Sequence, residues 1–430
     1  MTKKIYTLYY RPARILLVKT TNYWQTRSNS MTTETVISGN AKIVRSINRS
    51  AILNIIREKQ PVSRSTISKL TKLNKSTVSS IVLELLEDGL IREEPVKDSN
   101  IGRNPILLHL KLQEHYVGAI DIDPEISIIG IADIDGSIAS KSQLKTDLSS
   151  PLKFTRRCAR KLESLKQHLK IRQLYGIGVS ITGIVDPEMG KIVNAPNLGW
   201  KDFDILPVIE ECCPNDGPII IENEANASAL AELWFGKEVQ NIDNFVFISE
   251  GIGSGIIIDG KLIVGSSHMA GEFGHMTVVE NGEPCVCGNL GCWEAYASDR
   301  ATVKRYPRTQ TQNGNSSLTI GKQFHQILKR AREKEPEAIQ TLRDTGHYLG
   351  LGIANIIKAI DPEAVVLGGR ITRAWKIIYP EIMKEIKSRA LFGRSKPVKI
   401  FPTSLKERPS FIGAATLGIK EIFSGLRITK

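Results

Sequence analysis

One short stretch constrains this chain more than any other: His275, then Cys285-Val-Cys287, then Gly288-Asn-Leu-Gly-Cys292. One imidazole and three thiolates make a complete tetrahedral donor set with no position left open. A filled site implies an ion that shapes a loop rather than one that activates water. Gly288 and Gly291 allow the chain to turn tightly around it. The other three cysteines, Cys158, Cys212 and Cys213, are isolated or adjacent, so the six do not form a disulfide framework. The expected cofactor is structural Zn2+ on His275, Cys285, Cys287 and Cys292.

The charge is the second constraint. The net charge is +13, and residues 1–110 carry 18 Lys+Arg against 8 Asp+Glu. The remaining 320 residues are close to balanced, so the basic character sits in the first quarter, as expected where one domain meets a polyanion. Residues 1–39 mix basic, hydroxyl and aromatic residues without a period. They are read as a disordered extension, or as sequence upstream of a start at Met31. From residue 40 the pattern turns helical, with Ile43, Val44, Ile47, Ala51, Ile52, Ile55 and Ile56 at helical spacing. Ser63 caps a second helix, Arg64 to Thr71, with Ile67 and Leu70 inward. Asn74 caps a third, Lys75 to Asp88, with a stripe of Val78, Ile81, Val82, Leu85 and Leu86. Two short strands, Ile91–Glu94 and Ile106–Leu110, flank a polar loop. Three helices and a two-stranded wing over residues 40–110 make a winged helix-turn-helix, with operator DNA as partner. Its candidate DNA contacts are Arg64, Lys69, Lys75, Ser76, Thr77, Ser79 and Ser80, with Arg103 at the tip of the wing.

From residue 113 to 430 the texture becomes α/β. Val117–Asp121 and Ile126–Ala132 read as a hairpin ending at Asp135-Gly136. Phe245–Ser249 and Gly255–Ile258 read as a second, ending at Asp259-Gly260. Two similar halves predict a duplicated fold with a cleft between lobes. The longest apolar runs, such as Ile15–Val18, are too short to span a bilayer, and no signal-peptide core follows the basic start. The expectation is a cytoplasmic protein.

Several polar groups converge on the metal loop. Glu272 lies three residues before His275 and Glu294 two after Cys292, so an ion there would pin both carboxylates beside one cavity. Carboxylates held in fixed geometry are good acceptors for sugar hydroxyls. The apolar strand Ile219–Ile221 delivers Glu222-Asn223-Glu224-Ala225-Asn226 at its end, where ligands bind in α/β folds. Ala195-Pro196-Asn197-Leu198-Gly199-Trp200 is a further polar turn. Gly251-Ile252-Gly253-Ser254-Gly255 and Gly368-Gly369 are glycine turns of the kind that can cradle phosphate.

Taken together, Gly271-Glu272-Phe273-Gly274-His275, the Cys285–Glu294 motif, Glu222–Asn226 and Ala195–Leu198 resemble the ROK family of bacterial repressors, open-reading-frame proteins and sugar kinases. The resemblance runs from about residue 42 to the C-terminus. It implies a two-lobed, actin-like (ribonuclease H-like) sugar domain. It also implies zinc on the four ligands above and sugar contacts from Asn197, Asn223, Glu224, Glu272, His275 and Glu294. Family kinases carry Asp-x-Gly-Gly-Thr in the first hairpin turn; here the turn is Asp121-Ile122-Asp123-Pro124-Glu125, without the glycines and with a donor removed at Pro124. The kinase base is an Asp where this chain has Glu224. In the second glycine turn, Glu250 stands where it would repel a nucleotide. These departures predict no enzyme activity. Leu73–Ser80 and Gly291–Ser298 resemble the xylose-responsive repressors of the family, which implies D-xylose as inducer and a homo-oligomer on DNA. A sugar kinase with a fused DNA-binding module is the alternative, and a zinc-responsive regulator a third.

Overall fold

The computed structural model describes residues 41–95, 106–307, 318–389 and 397–424, which form two compact units. The extension expected over residues 1–39 and the wing-tip Arg103 lie outside the described residues. Among those described, no helix is long and apolar enough to cross a membrane.

The first unit holds the described residues up to His115 together with those from Lys420 onward. Its elements are α1 (Ala41–Lys59), β1 (Val62–Ser63), α2 (Arg64–Thr71), α3 (Lys75–Glu87), β2 (Ile91–Pro95) and β3 (Ile106–Leu110). Local chemistry sets the helix starts. Ser63 Oγ accepts the Thr66 N–H at 3.2 Å, and Asn74 Oδ1 accepts the Thr77 N–H at 2.7 Å. Ile52, Ile56, Ile67, Val78, Ile81, Val82 and Leu85 are fully buried between the three helices. The wing pairs Ile91 with Leu110, as expected, but β1 adds a third strand to give the order β1-β3-β2. Two residues are too short to leave a sequence period, so β1 was not legible. Leu70 and Val44, expected inside, are each 49% exposed, and nothing among the described residues covers them. The last turn of the C-terminal helix also belongs to this unit. There Ser50 Oγ and Asn54 Nδ2 donate to the Phe423 carbonyl, and the Arg57 guanidinium sits over the Phe423 ring.

The second unit, Tyr116–Ile419, is the duplicated fold. Its first half contains β4 (Tyr116–Ile122), β5 (Ile126–Asp133), β6 (Ile138–Lys145), α4 (Pro151–His168), β7 (Ile177–Ile181), β8 (Ile184–Asp186), β9 (Lys191–Ala195), β10 (Trp200–Asp204), α5 (Leu206–Cys212) and β11 (Ile219–Asn223). The second contains α6 (Glu224–Phe235), β12 (Phe245–Ile248), β13 (Ser254–Ile258), β14 (Lys261–Ile263), α7 (Glu294–Ala297), α8 (Asp299–Arg305), α9 (Ile320–Arg332), α10 (Pro336–Ile360), β15 (Ala364–Leu367), α11 (Trp375–Ser388), β16 (Lys399–Pro402) and α12 (Pro409–Ser424). One five-stranded sheet runs β11-β7-β4-β5-β6 and the other β14-β13-β12-β15-β16. In each, an antiparallel three-strand meander continues into two parallel strands, so β4 corresponds to β12, β7 to β15 and β11 to β16. This repeat is what the two sequence hairpins foreshadow. The near-continuous apolar runs of β4, β7, β12 and β15 are buried, as parallel-sheet strands covered on both faces must be.

Helices α6 and α12 lie between the two sheets and cross closely. A Cβ at Gly413 would stand 2.2 Å from the Ala227 carbonyl oxygen, and one at Gly178 would stand 1.8 Å from that of Ala414. The glycines let backbone meet backbone at this junction. The cleft opens beside it, at the carboxyl ends of β4, β11 and β12.

Candidate ligand cleft, metal centre and nucleic-acid interface

The metal loop follows a short 3₁₀ turn, Phe273–His275. Gly288 and Gly291 both take positive φ there, at +93° and +73°. One ligand atom from each of His275, Cys285, Cys287 and Cys292 lies within 4.8 Å of all the others. Cys285 Sγ is 3.6 Å from His275 Nδ1, and Cys287 Sγ is 3.6 Å from Cys292 Sγ. Bonds of roughly 2.3 Å to sulfur and 2.05 Å to nitrogen at the tetrahedral angle put S···N at about 3.6 Å and S···S at about 3.8 Å. The donor set therefore fits a tetrahedral metal ion, and the sulfurs are too far apart for a disulfide. His275 turns Nδ1 to the sulfurs and Nε2 to Glu272, 3.6 Å away.

Glu294 joins this cluster to the cleft. It opens α7, its carboxylate lies 3.8 Å from His275 Nδ1, and it lines a cavity of about 190 Å³. That volume is below the usual range of roughly 300–1,000 Å³ for ligand pockets and suits a ligand of one small ring. Asn197 and Glu224 line the same cavity. Glu224 is the first residue of α6 and accepts the Ser249 hydroxyl at 2.9 Å. Burial pushes its carboxyl up to about 8. The Ser249 bond opposes that shift, and the negative Asp121, Asp123 and Glu250 add to it. Burial also raises Glu272 and Glu294, with His275 opposing both shifts.

The structure thus brings Asn197, Glu224 and Glu294 to one cavity, with Glu272 and His275 adjoining through Glu294. Asn223 does not join them in the same way. Its Oδ1 caps α6 by accepting from the Ala225 and Asn226 N–H groups at 2.8 and 3.3 Å, and its Nδ2 donates to the Gly183 carbonyl at 2.8 Å. A helix-start asparagine is bound to its own backbone, which a strand-end motif read from sequence does not reveal.

The same cavity carries a second, charged constellation. Glu125, Glu250, Asp299, Arg370 and Arg408 line it. Arg370 Nη1 lies 2.7 Å from Glu250 and 3.2 Å from Asp299, and Arg408 Nη1 lies 3.1 Å from Asp121. Burial carries Asp299 up to about 8, with Glu250 adding and Arg370 opposing, and Asp121 to about 6, with Arg408 opposing. Only Glu250 and the Asp121–Glu125 turn were singled out by sequence; the two arginines come from distant segments with no motif of their own.

In the first unit, α3 presents Lys75 and Ser76 exposed, with Thr77 and Ser79 half-buried, and Lys69 of α2 is exposed. Two other candidates are engaged. Ser80 accepts from Arg45 at 2.8 Å, and Arg64 pairs with Glu93 of the wing at 2.8 Å.

Comparison with known proteins follows the same division. The model of the ROK family matches residues 117–421. The chain belongs to the ROK family. A winged helix-turn-helix DNA-binding model matches residues 45–92. A xylose repressor from Bacillus subtilis (strain 168) is 33% identical over 87% of this chain and 96% of its own. A solved ROK family transcriptional regulator, described as a homologue of the E. coli MLC protein, aligns with a TM-score of 0.75. It is 26% identical and covers 89% of this chain and 98% of its own. A ROK family glucokinase from Streptomyces griseus, solved with glucose and AMPPNP, aligns with a TM-score of 0.60 at 27% identity, over 70% of this chain and 98% of that one. The part of this chain beyond the kinase match accommodates the winged helix-turn-helix.

Proposed function

We propose that this chain is a sugar-responsive transcriptional repressor, released from operator DNA by D-xylose. The observation that carries the reading is the joining, in one ROK chain, of a winged helix-turn-helix to a domain whose polar side chains line a small cavity. Residues 40–110 serve as the DNA-binding domain and 113–430 as the sensor. Lys69, Lys75, Ser76, Thr77, Ser79 and Arg103 contact DNA. Arg64 and Ser80 take part once Glu93 and Arg45 release them. Asn197, Glu224, Glu272, His275 and Glu294 read sugar hydroxyls, and the remaining N–H of Asn223 can add a donor. The identity with a xylose repressor supports the choice of sugar.

The metal on His275, Cys285, Cys287 and Cys292 is zinc in this reading, because three thiolates and an imidazole at tetrahedral spacing are its preferred donors. Bound there, it supplies a rigid node and no reactive position. His275 is then fixed in one tautomer, with Nε2–H toward Glu272 and the sugar. The protein acts as a homo-oligomer on a two-fold operator, and sugar works by binding the DNA-incompetent state better. No phosphoryl transfer is assigned, since carboxylates and their arginine partners line the end of the cavity where a triphosphate would lie. Operator-fragment anisotropy with xylose, and glucose as control, tests this. Release by xylose at micromolar to millimolar levels is expected, and unchanged binding at saturating xylose refutes the inducer. A coupled assay detecting ADP formation above background with any sugar would favour the kinase alternative.

A further inference from the structure

The charged end of the cavity joins the two halves of the sensor. Glu125 sits in the turn between β4 and β5, beside the first sheet, and its backbone is bonded within that half, but its side chain pairs with the second half. Its Oε1 accepts the Gly321 N–H at the start of α9 at 3.1 Å, and its Oε2 lies 3.8 Å from Arg370 Nη2. Arg370 follows β15. Besides its side-chain bonds to Glu250 and Asp299, its backbone N–H donates to Glu250 Oε1 at 3.1 Å. One guanidinium, which stays charged at any ordinary pH, is thus shared by three carboxylates from three segments. Gly321 is fitted to the junction. A Cβ there would meet Glu125 Oε2 at 2.9 Å and the Arg370 guanidinium at 3.0 Å. Arg408 makes a parallel crossing, donating to Asp121 of β4 and to the Ile126 carbonyl at 2.9 Å.

We propose that Arg370 and Glu125 form a cross-cleft latch that holds the two halves of the sensor together, and that this latch sets how readily the cleft closes on its ligand. Arg370 is a positioning residue: it touches the opposite half of the domain rather than the sugar. The second clause of the proposal rests on the sugar reading above; the first does not. The pairing is partly desolvated, with Glu125 held by the Gly321 N–H and the Arg370 guanidinium by Glu250 and Asp299, and an ion pair fixed in this way retains its strength. Its geometry is specific to a planar fork, so lysine is a poor substitute.

Hydrogen exchange on the full-length protein, without and with xylose, tests this. Glu125→Ala should raise exchange severalfold at residues 320–323 of the opposite half. Arg370→Lys should raise it at residues 123–126, which it does not neighbour in sequence. Glu125→Gln, which keeps the acceptor for Gly321 but loses the charge, should fall between wild type and Glu125→Ala. If Arg370→Lys fails to fold, the pair Arg370→Gln/Glu250→Gln removes the stranded charge and serves instead. Exchange that changes only within the mutated half overturns the latch. In an operator-release titration the same variants should shift the half-maximal xylose concentration upward about fivefold or more. An unchanged midpoint with raised exchange overturns the second clause alone. A wild-type protein that ignores xylose removes the sugar reading while exchange still decides the latch.

Discussion

Two groups of side chains meet at one cavity: Asn197, Glu224 and Glu294 present polar atoms to it, while Asp121, Glu125, Glu250 and Asp299 turn their carboxyl groups onto Arg370 and Arg408. Both groups sit at strand ends of the same repeated sheet topology, where such folds bind ligands. The difference lies in how far each group is already engaged by its own neighbours. The first group keeps acceptors whose partners are a metal loop and a serine, leaving capacity for a ligand. The second has neutralised itself internally, so its hydrogen-bonding capacity is already used. The scaffold is common to both, and side-chain partnership decides how much hydrogen-bonding capacity each group leaves open.

The largest effect should come from the support of the first group. Cys292→Ser removes a ligand buried in the loop and should abolish metal retention, lower the melting temperature by many degrees and eliminate the sugar response. Metal analysis and thermal melts check this, and full metal content in the variant would break the link between loop and cleft. Next, Glu294→Gln should weaken xylose binding about 10–100-fold by removing a charge-assisted acceptor, worth roughly 1.5–3 kcal/mol, while leaving the fold intact. Arg300→Gln, also at the cavity wall, should do less. Calorimetry distinguishes the two, and the reverse order would relocate the sugar.

A smaller effect concerns pH. Burial holds Glu224 and Asp299 up near 8, against 4.5 and 3.8 for the free groups. Between those values the folded chain holds protons that the unfolded chain has lost, so the contribution of these two groups to stability is greatest at low pH and declines as pH rises toward 8. Melting temperature should therefore fall between pH 6 and 8.5, and Glu224→Gln should flatten that fall. An identical pH slope in the variant would show that Glu224 is ionised throughout. The smallest effect is expected on DNA. Lys75→Ala should reduce the salt slope of operator binding by about 1 and weaken all sequences alike.

Sequence made the two hairpins, the two capped helices and the metal loop legible, because each depends on local chemistry: alternation, a capping side chain, or clustered thiols. It did not show β1, which is only two residues long, or the role of Asn223, whose amide is consumed by helix capping. It also could not show Arg370 and Arg408. Their partners lie at Glu125 and Asp121, some 245 and 287 residues away, and only the meeting of the two sheets brings them together. Pairings set by tertiary contact leave no periodic trace.

Sugar and DNA should compete through the conformation of one chain. Linkage makes it measurable in either direction, since operator DNA must weaken xylose binding by the same factor by which xylose weakens DNA binding. Titrating xylose into the protein by calorimetry, alone and saturated with operator, should give affinities differing by about 5–150-fold, equal to the shift in operator affinity measured with and without xylose. Equal xylose affinities with and without operator would contradict the account.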